Sequence, residues 1–220
     1  YGYRKIGGIV DFAETGADNN RYLWVVYTLC EGPIDGLHEL YLDDNQLDES
    51  LISPLNEGRA VNVTTGKYKD RVQLQFINVP YFYRNLNQHP IIGNHICRDA
   101  PSWEDSMIYN GVTILMARYE WKEIKTQEDA DNNPFTGNIP KLQATVLGRR
   151  VASLVTTTSE QYAYQASGYK ERYSTNPAEI LLDYLRNPRY GKGLTNDEID
   201  WDSWRNAAAK CNTQVEYVNG

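Results

Sequence analysis

The sequence contains little cysteine and no long apolar run. Its 220 residues include three cysteines, Cys30, Cys97 and Cys211. An odd and widely spaced set of this kind predicts no disulfide framework, so we expect folding in a reducing compartment. No stretch approaches the ~18 apolar residues of a membrane-spanning helix, and the first residues do not have the pattern of a signal peptide. A disulfide-stapled module and an integral membrane protein are therefore not expected.

Positive charge is also scarce. The chain has 22 Lys and Arg residues against 29 Asp and Glu residues, which gives a formal net charge of −7. Proteins that read nucleic-acid sequence need a basic face to neutralise phosphates, so the composition argues against that function. An acidic chain is compatible with a channel through which DNA slides without sticking, and equally with a generic acidic protein.

Recognisable catalytic motifs are missing. The sequence has no Gly-x-Ser-x-Gly, no phosphate-cradling glycine loop and no Cys/His dyad with a local signature. Gly7-Gly8 lacks the surrounding pattern of a nucleotide site. The 29 acidic residues offer many carboxylate pairs, but nothing singles out a glycoside-cleaving pair. We therefore predict no catalytic residues, no cofactor and no enzymatic activity.

Three sets of potential metal ligands match no common metal site. His89, His95 and Cys97 lack zinc-site spacing and an evident fourth ligand. The acidic cluster that begins at Asp43 lacks the glycine and terminal glutamate of a calcium loop, and its residue types suit turns. We predict that these residues form loops and turns without a bound metal. One acidic cluster comprises Asp43, Asp44, Asn45 and Asp48, and a second comprises Asp129, Asp131, Asn132 and Asn133. Four basic residues, Arg4, Lys5, Arg149 and Arg150, are expected to be solvated or paired with a neighbouring subunit.

Tyrosine is abundant, at 17 residues with five tryptophans. Its large contact area and polar tip suit both a β-domain and a protein–protein surface, and both interpretations stay open. β-Branched, aromatic and alternating runs separated by turn residues predict an antiparallel meander. The predicted strands cover residues 6–13, 22–30, 37–42, 72–76, 111–120 and 141–147. Residues 51–69 and 123–137 are predicted to be irregular, and residues 81–106 a long excursion.

A helix is specified at both ends between residues 176 and 187. Asn176 is an N-cap, Pro177 fits the first helical position, and Glu179 suits the first turn. Asn187-Pro188 ends the helix. The apolar face is predicted to comprise Ile180, Leu181, Tyr184 and Leu185.

A second helical segment follows. Thr195 and Glu198 have capping-box spacing, and Asp200 precedes a helix over residues 201–211. On that helix Trp201, Trp204, Ala207 and Ala208 share one face, for which core packing is predicted. Residues 155–173, rich in Ser, Thr, Gln and Tyr, are predicted to be an extended connector.

Three separated stretches resemble the central tail hub (tip attachment) proteins of long-tailed bacteriophages. They are residues 1–8 (YGYRKIGG), 22–44 (YLWVVYTLCEGPIDGLHELYLDD) and 176–194 (NPAEILLDYLRNPRYGKGL). The resemblance covers most of the chain, and its motifs are structural. Because members of that family are much longer, and because the chain starts with Tyr1 and ends in an apparent strand, the sequence is expected to be part of a longer protein.

The resemblance and the strand pattern together predict an α+β fold that is mainly antiparallel β. A barrel-like hub domain is predicted over residues 1–153, and the start of an α/β hub module over residues 154–220. The resemblance implies a homotrimer in the assembled tail, because such hubs are usually trimers. They continue or close the tail tube, contact the distal ring and the fibre or tip proteins, and open for DNA ejection. The implied location is the virion tail tip after assembly in the host cytoplasm, with DNA passing unbound. The residues that contact partners are not predicted.

The sequence is also compatible with two other classes of protein. A carbohydrate-binding β module would present exposed tyrosines and tryptophans in a concave patch. A polysaccharide-degrading enzyme would place two carboxylates across a cleft at about 5–10 Å.

Overall fold

The computed structural model describes residues 1–17, 19–78, 95–135, 137–152 and 171–213. Contacts between Cα atoms separate two compact units. The larger unit comprises Arg4–Val146, and the smaller unit comprises Tyr1–Tyr3 with the described residues from Leu147 onward. Residues 81–94 of the predicted excursion and most of the predicted connector lie outside the described residues.

The larger unit is built mainly from strands. Their bounds are β1 Tyr3–Gly7, β2 Ile9–Gly16, β3 Tyr22–Glu31, β4 Gly36–Leu42, β5 Asn45–Gln46, β6 Ala60–Asn62, β7 Val72–Asn78, β8 Val112–Glu120 and β9 Leu142–Leu147. Helices α1 (Ile52–Asn56) and α2 (Gln127–Asp131) and a 3₁₀ turn (Glu49–Leu51) lie between them in the chain. The smaller unit contains β10 Val151–Ala152, β11 Glu171–Arg172, α3 Pro177–Arg186, a 3₁₀ turn Asn196–Glu198 and α4 Trp201–Cys211.

Five strands form an antiparallel sheet in the order β2-β3-β8-β7-β6. Strand β8 lies at its centre, where Ala117 is opposite Val25 on one side and Leu74 on the other. The strands predicted from the apolar runs at residues 22–30, 72–76 and 111–120 are confirmed as β3, β7 and β8.

Strand β3 is buried on both faces. Val25 and Tyr27 point into one apolar cluster, whereas Trp24 and Val26 point into another. Side chains alternate across a strand, so a continuous apolar run supplies both layers. Ile96 and Cys97 cover the second layer from the loop after residue 94.

A second sheet, in the order β1-β9-β4-β5, shares the first apolar cluster. The turn from β4 to β5 has Asp43 and Asp44 at φ values of 46° and 62°. Asp and Asn tolerate this left-handed conformation better than most residues. The predicted turn at Asp43-Asp44-Asn45 is therefore confirmed, and the Asp43 N–H donates to the Lys141 carbonyl at 2.9 Å.

Helix α3 begins as predicted. The Asn176 side chain accepts from the backbone N–H groups of Ala178 and Glu179 at 3.0 and 3.4 Å, and Pro177 occupies the first helical position. At the other end, the Asn187 N–H donates to the Asp183 carbonyl. These contacts confirm both predicted ends of the helix.

The predicted apolar face of α3 is only partly buried. Ala178, Glu179 and Leu182 are the buried residues, whereas Leu181 is 48% and Tyr184 45% exposed. The helix turns a polar residue inward because Glu179 has hydrogen-bond donors there: the exposed Arg172 donates to it at 3.0 Å and the buried Ser174 at 2.5 Å. Ile180 and Leu185 lie at intermediate burial.

The second helical prediction is confirmed in detail. Thr195 and Glu198 form a capping box, and the Asp200 side chain accepts from the Ser203 N–H at 3.1 Å. Trp201, Trp204, Ala207 and Ala208 pack in one cluster with α3, in agreement with the predicted core role.

Two short helices lie where irregular structure was predicted. Helices α1 and α2 have five residues each, within the stretches 51–69 and 123–137. One and a half turns give no readable apolar period, which explains why the sequence pattern missed them. The described residues nonetheless confirm an α+β fold dominated by antiparallel strands. Over the described ranges, no helix combines the length and apolarity needed to cross a membrane.

Candidate interaction surfaces

The potential zinc ligands lie in a buried loop. Cys97 is fully buried beneath the five-stranded sheet, and burial raises the pKa of its thiol. His95 is buried 4.7 Å from the Trp103 ring, and burial lowers its pKa. His89 lies outside the described residues. Among the residues that the structure describes, no three His, Cys, Asp or Glu side chains form a group suited to a metal ion.

The acidic clusters hold backbone turns. Asp43 accepts from the Lys141 N–H at 2.8 Å and from the Tyr68 hydroxyl at 3.2 Å. Asp48 accepts from the Ser50 N–H at 2.9 Å. Asp129 belongs to the capping box of α2, where hydrogen bonds from Thr126 and Lys125 lower its pKa. Their carboxylate oxygens are thus used locally, as turn and cap residues commonly are.

The basic residues singled out in the sequence have different surroundings. The Lys5 ammonium lies 3.2 Å from the centre of the Tyr41 ring, and Arg149 is 3.4 Å from Asp183. Arg4 and Arg150 are exposed.

Gly8, of the pair Gly7-Gly8, packs so closely on β3 that a Cβ would lie 2.7 Å from the Tyr27 Cβ. That contact gives Gly8 a packing role.

A broad depression of about 580 Å³ borders β4 and α1, with Glu39, Glu49 and Glu57 in its lining. Glu39 accepts from the Thr145 hydroxyl at 2.7 Å and from the Tyr41 hydroxyl at 3.0 Å. These bonds stabilise the carboxylate and lower its pKa. A general acid needs the opposite shift, so the surroundings of Glu39 do not suit the general-acid role in glycoside cleavage.

Tyrosines gather on the surface of the smaller unit. The Tyr1 hydroxyl donates to Asp183 at 2.6 Å and lies 2.8 Å from the Tyr190 hydroxyl. The Tyr190 ring in turn packs 5.7 Å from that of Tyr184. We call these three rings, with the exposed Leu181, the tyrosine patch. A patch of rings with polar tips suits contact with another molecule.

A second surface was not foreseen from the sequence. Lys67, Lys69, Arg71 and Lys122 line a cleft of about 280 Å³ in the larger unit. We call it the basic cleft. Its members come from two segments about 50 residues apart, which are joined where β7 and β8 pair: the Glu120 N–H donates to the Arg71 carbonyl at 2.8 Å. Only knowledge of that pairing reveals the cluster.

Comparison with known proteins supports assignment of this chain to a class, the components of bacteriophage tails, and to the baseplate hub of the virion tail. A relative that supports this assignment is baseplate hub protein pb3 of Escherichia phage T5. The two are 43% identical over an alignment of 234 positions, which covers 90% of this chain and 23% of pb3. The chain thus spans less than a quarter of the length of this curated relative. No protein-family model matches the chain.

Proposed function

We propose that this chain is part of the central hub at the distal end of a phage tail. The observation that carries the proposal is the identity of 43% to a baseplate hub protein over 90% of the chain. An alignment of that extent includes residues of both compact units. The relationship also supports a structural and non-enzymatic role.

In the proposed assembly, copies of the chain form a homotrimer that continues or closes the tail tube. The trimer contacts the tube and distal ring proteins on one side and the fibre or tip proteins on the other. It rearranges on host attachment so that DNA passes into the cell. The predicted division of the hub at residues 153/154 and assembly in the host cytoplasm belong to this same proposal.

The net charge supports an acidic lumen. With a formal charge of −7, a trimer would carry a strong negative field. Negative walls repel phosphates and limit adhesion of DNA during its passage. A tail structure in which Lys and Arg of this chain line most of the lumen would overturn this part of the proposal.

The tyrosine patch supports contact between proteins in the tail. Tyr184 and Leu181 are about half exposed on a helix whose opposite side is packed. Aromatic residues are enriched at the centres of protein interfaces. In the assembled tail we expect these two side chains to be covered by a neighbouring subunit.

Immunogold labelling of intact virions tests the location, with antibodies raised against the 220-residue chain. We expect label at the distal end of the tail in wild-type particles. Cross-linked and then denatured tails should give a trimer band that contains the chain. Label on the head or along the whole tail would contradict the proposed hub.

The tyrosine patch also gives a carbohydrate-binding module some support, because exposed tyrosine rings suit contact with sugars. A glycan array probed with the chain separates the two functions. Binding of bacterial glycans that is lost in Tyr184→Ala would favour the carbohydrate module. A uniformly flat array, with Tyr184 buried in the assembled tail, would favour the hub.

A further inference from the structure

We infer that the basic cleft binds carboxylate groups of an acidic polypeptide segment on a partner protein. The cleft is an exception in an acidic chain: it gathers four cations within one surface concavity of about 280 Å³. The inference goes beyond the hub proposal and stands on the geometry of the larger unit alone.

The fold holds the cleft in place through two fixed segments. Lys67 and Lys69 precede β7, and Lys122 follows β8. The backbone bond between Glu120 and Arg71 closes the end of this strand pair. The Arg71 Nε also donates to the Glu120 carbonyl at 2.7 Å, which fixes its guanidinium across the same strand end.

The three lysines of the cleft form no ion pair within the described residues. Lys69 and Lys122 are exposed. The Nη2 of Arg71 is buried and has no hydrogen-bond partner in that part of the chain. The guanidinium adds its positive charge to the lining of the cleft.

Two acidic residues in the lining are already engaged. Asp129 accepts from the N–H groups of Lys125 and Thr126 at 3.1 and 2.9 Å in the cap of α2. Glu123 pairs with the Lys125 ammonium at 3.1 Å, and Lys125 is not one of the four cations of the cleft. Neither carboxylate is paired with the cleft, so its positive charge is available to a ligand.

The shape and charge favour isolated carboxylates over a phosphate backbone. A concavity of about 280 Å³ has room for one or two side chains. Asp129 and Glu123 interrupt the basic surface and would repel a continuous row of phosphates. Spaced Glu or Asp side chains on a polypeptide can avoid these two carboxylates and reach the exposed ammonium groups of Lys67, Lys69 and Lys122.

The test is binding of a fluorescein-labelled decapeptide of alternating glutamate and serine to the full 220-residue chain, measured by fluorescence anisotropy. We expect saturable binding that weakens with salt, and no binding of the matching glutamine peptide. Lys69→Gln with Lys122→Gln should weaken binding by about tenfold or more, because two charge-assisted contacts are lost.

A charge-matched control uses exposed lysines of the smaller unit, Lys192→Gln with Lys210→Gln, and should bind as the wild type does. If the control lost as much affinity for the glutamate peptide, the effect would come from overall charge and the inference would be overturned. Absence of binding by the wild-type chain would overturn it as well. Inorganic phosphate and a ten-nucleotide oligothymidine are titrated in parallel. Tighter binding of the oligonucleotide would assign the cleft to nucleic acid and reject the polypeptide.

Discussion

The two compact units are stabilised by different kinds of contact. In the larger unit, leucine, valine and aromatic side chains from both sheets fill one apolar cluster, and a second cluster covers the opposite face of β3. In the smaller unit, the buried apolar cluster consists of Ala178, Leu182, Ile199 and Ala208, with partly buried residues around it. Polar side chains hold its helices: the Asn176 amide donates to the Ala208 carbonyl at 2.8 Å and to Asn212 at 2.9 Å.

This difference indicates which substitutions should destabilise each unit most. Apolar burial is spread over many residues, so the larger unit should lose stability in proportion to the volume removed. Because the apolar cluster of the smaller unit is small, more of that unit's stability depends on a few hydrogen bonds. Removal of one of these bonds should lower the free energy of unfolding noticeably. Three substitutions test this comparison, from the largest expected effect to the smallest.

The largest effect is expected in the core of the larger unit. Leu115 on β8 is fully buried, so Leu115→Ala should lower the free energy of unfolding by about 3 kcal/mol through lost burial and cavity formation. Urea unfolding followed by circular dichroism measures the change. Leu181→Ala is the control, since Leu181 is 48% exposed and should cost less than about 1 kcal/mol. Equal losses in the two variants would remove the contrast between buried and exposed leucines.

The next effect concerns Asn176. Asn176→Ala removes the cap of α3 and the bonds to Ala208 and Asn212, so we expect a loss of about 2 kcal/mol. Asp200→Ala removes only the N-cap bond of α4 and should cost about 1 kcal/mol. Thermal unfolding of both variants gives the comparison. If Asn176→Ala were the milder change, the polar contacts would not dominate the smaller unit.

The smallest effect is a pH dependence in the larger unit. Burial lowers the pKa of His95, and Arg98 lowers it further, while Asp99 and Asp105 act in the opposite direction. The unfolded chain therefore binds a proton more readily than the folded chain. His95 thus contributes stability that is complete above its unfolded pKa of about 6.5 and is lost as the pH falls toward the lower folded value.

His95→Phe should flatten the stability profile between pH 7 and pH 5, because phenylalanine keeps a ring beside Trp103 without a titratable group. His38→Phe is the control, at an exposed position on β4. Urea midpoints across this pH range measure both. An unchanged slope in His95→Phe would show that other groups govern the acid sensitivity.

Local signals in the sequence predicted much of the fold. Strand β3 follows from a run of β-branched and aromatic residues, and β7 from the alternation of apolar residues with glutamine. The start of α3 follows from Asn176 and Pro177. These patterns act over a few residues, so they can be recognised without knowledge of the tertiary structure.

Contacts between distant segments could not be predicted in this way. The buried Tyr27 and Tyr119 hydroxyls lie 2.8 Å apart, although 92 residues separate them in the chain. The basic cleft depends on the same kind of pairing. The exposed side of α3 was also missed, because the partners of Glu179 outweigh the apolar period of the helix.

The single amide of Asn176 bonds both to the beginning of α3 and to the end of α4. Opening either helix end breaks bonds that the other helix needs. Hydrogen–deuterium exchange should therefore give the protected backbone amides of the two helices one common free energy of opening, as a single cooperative event.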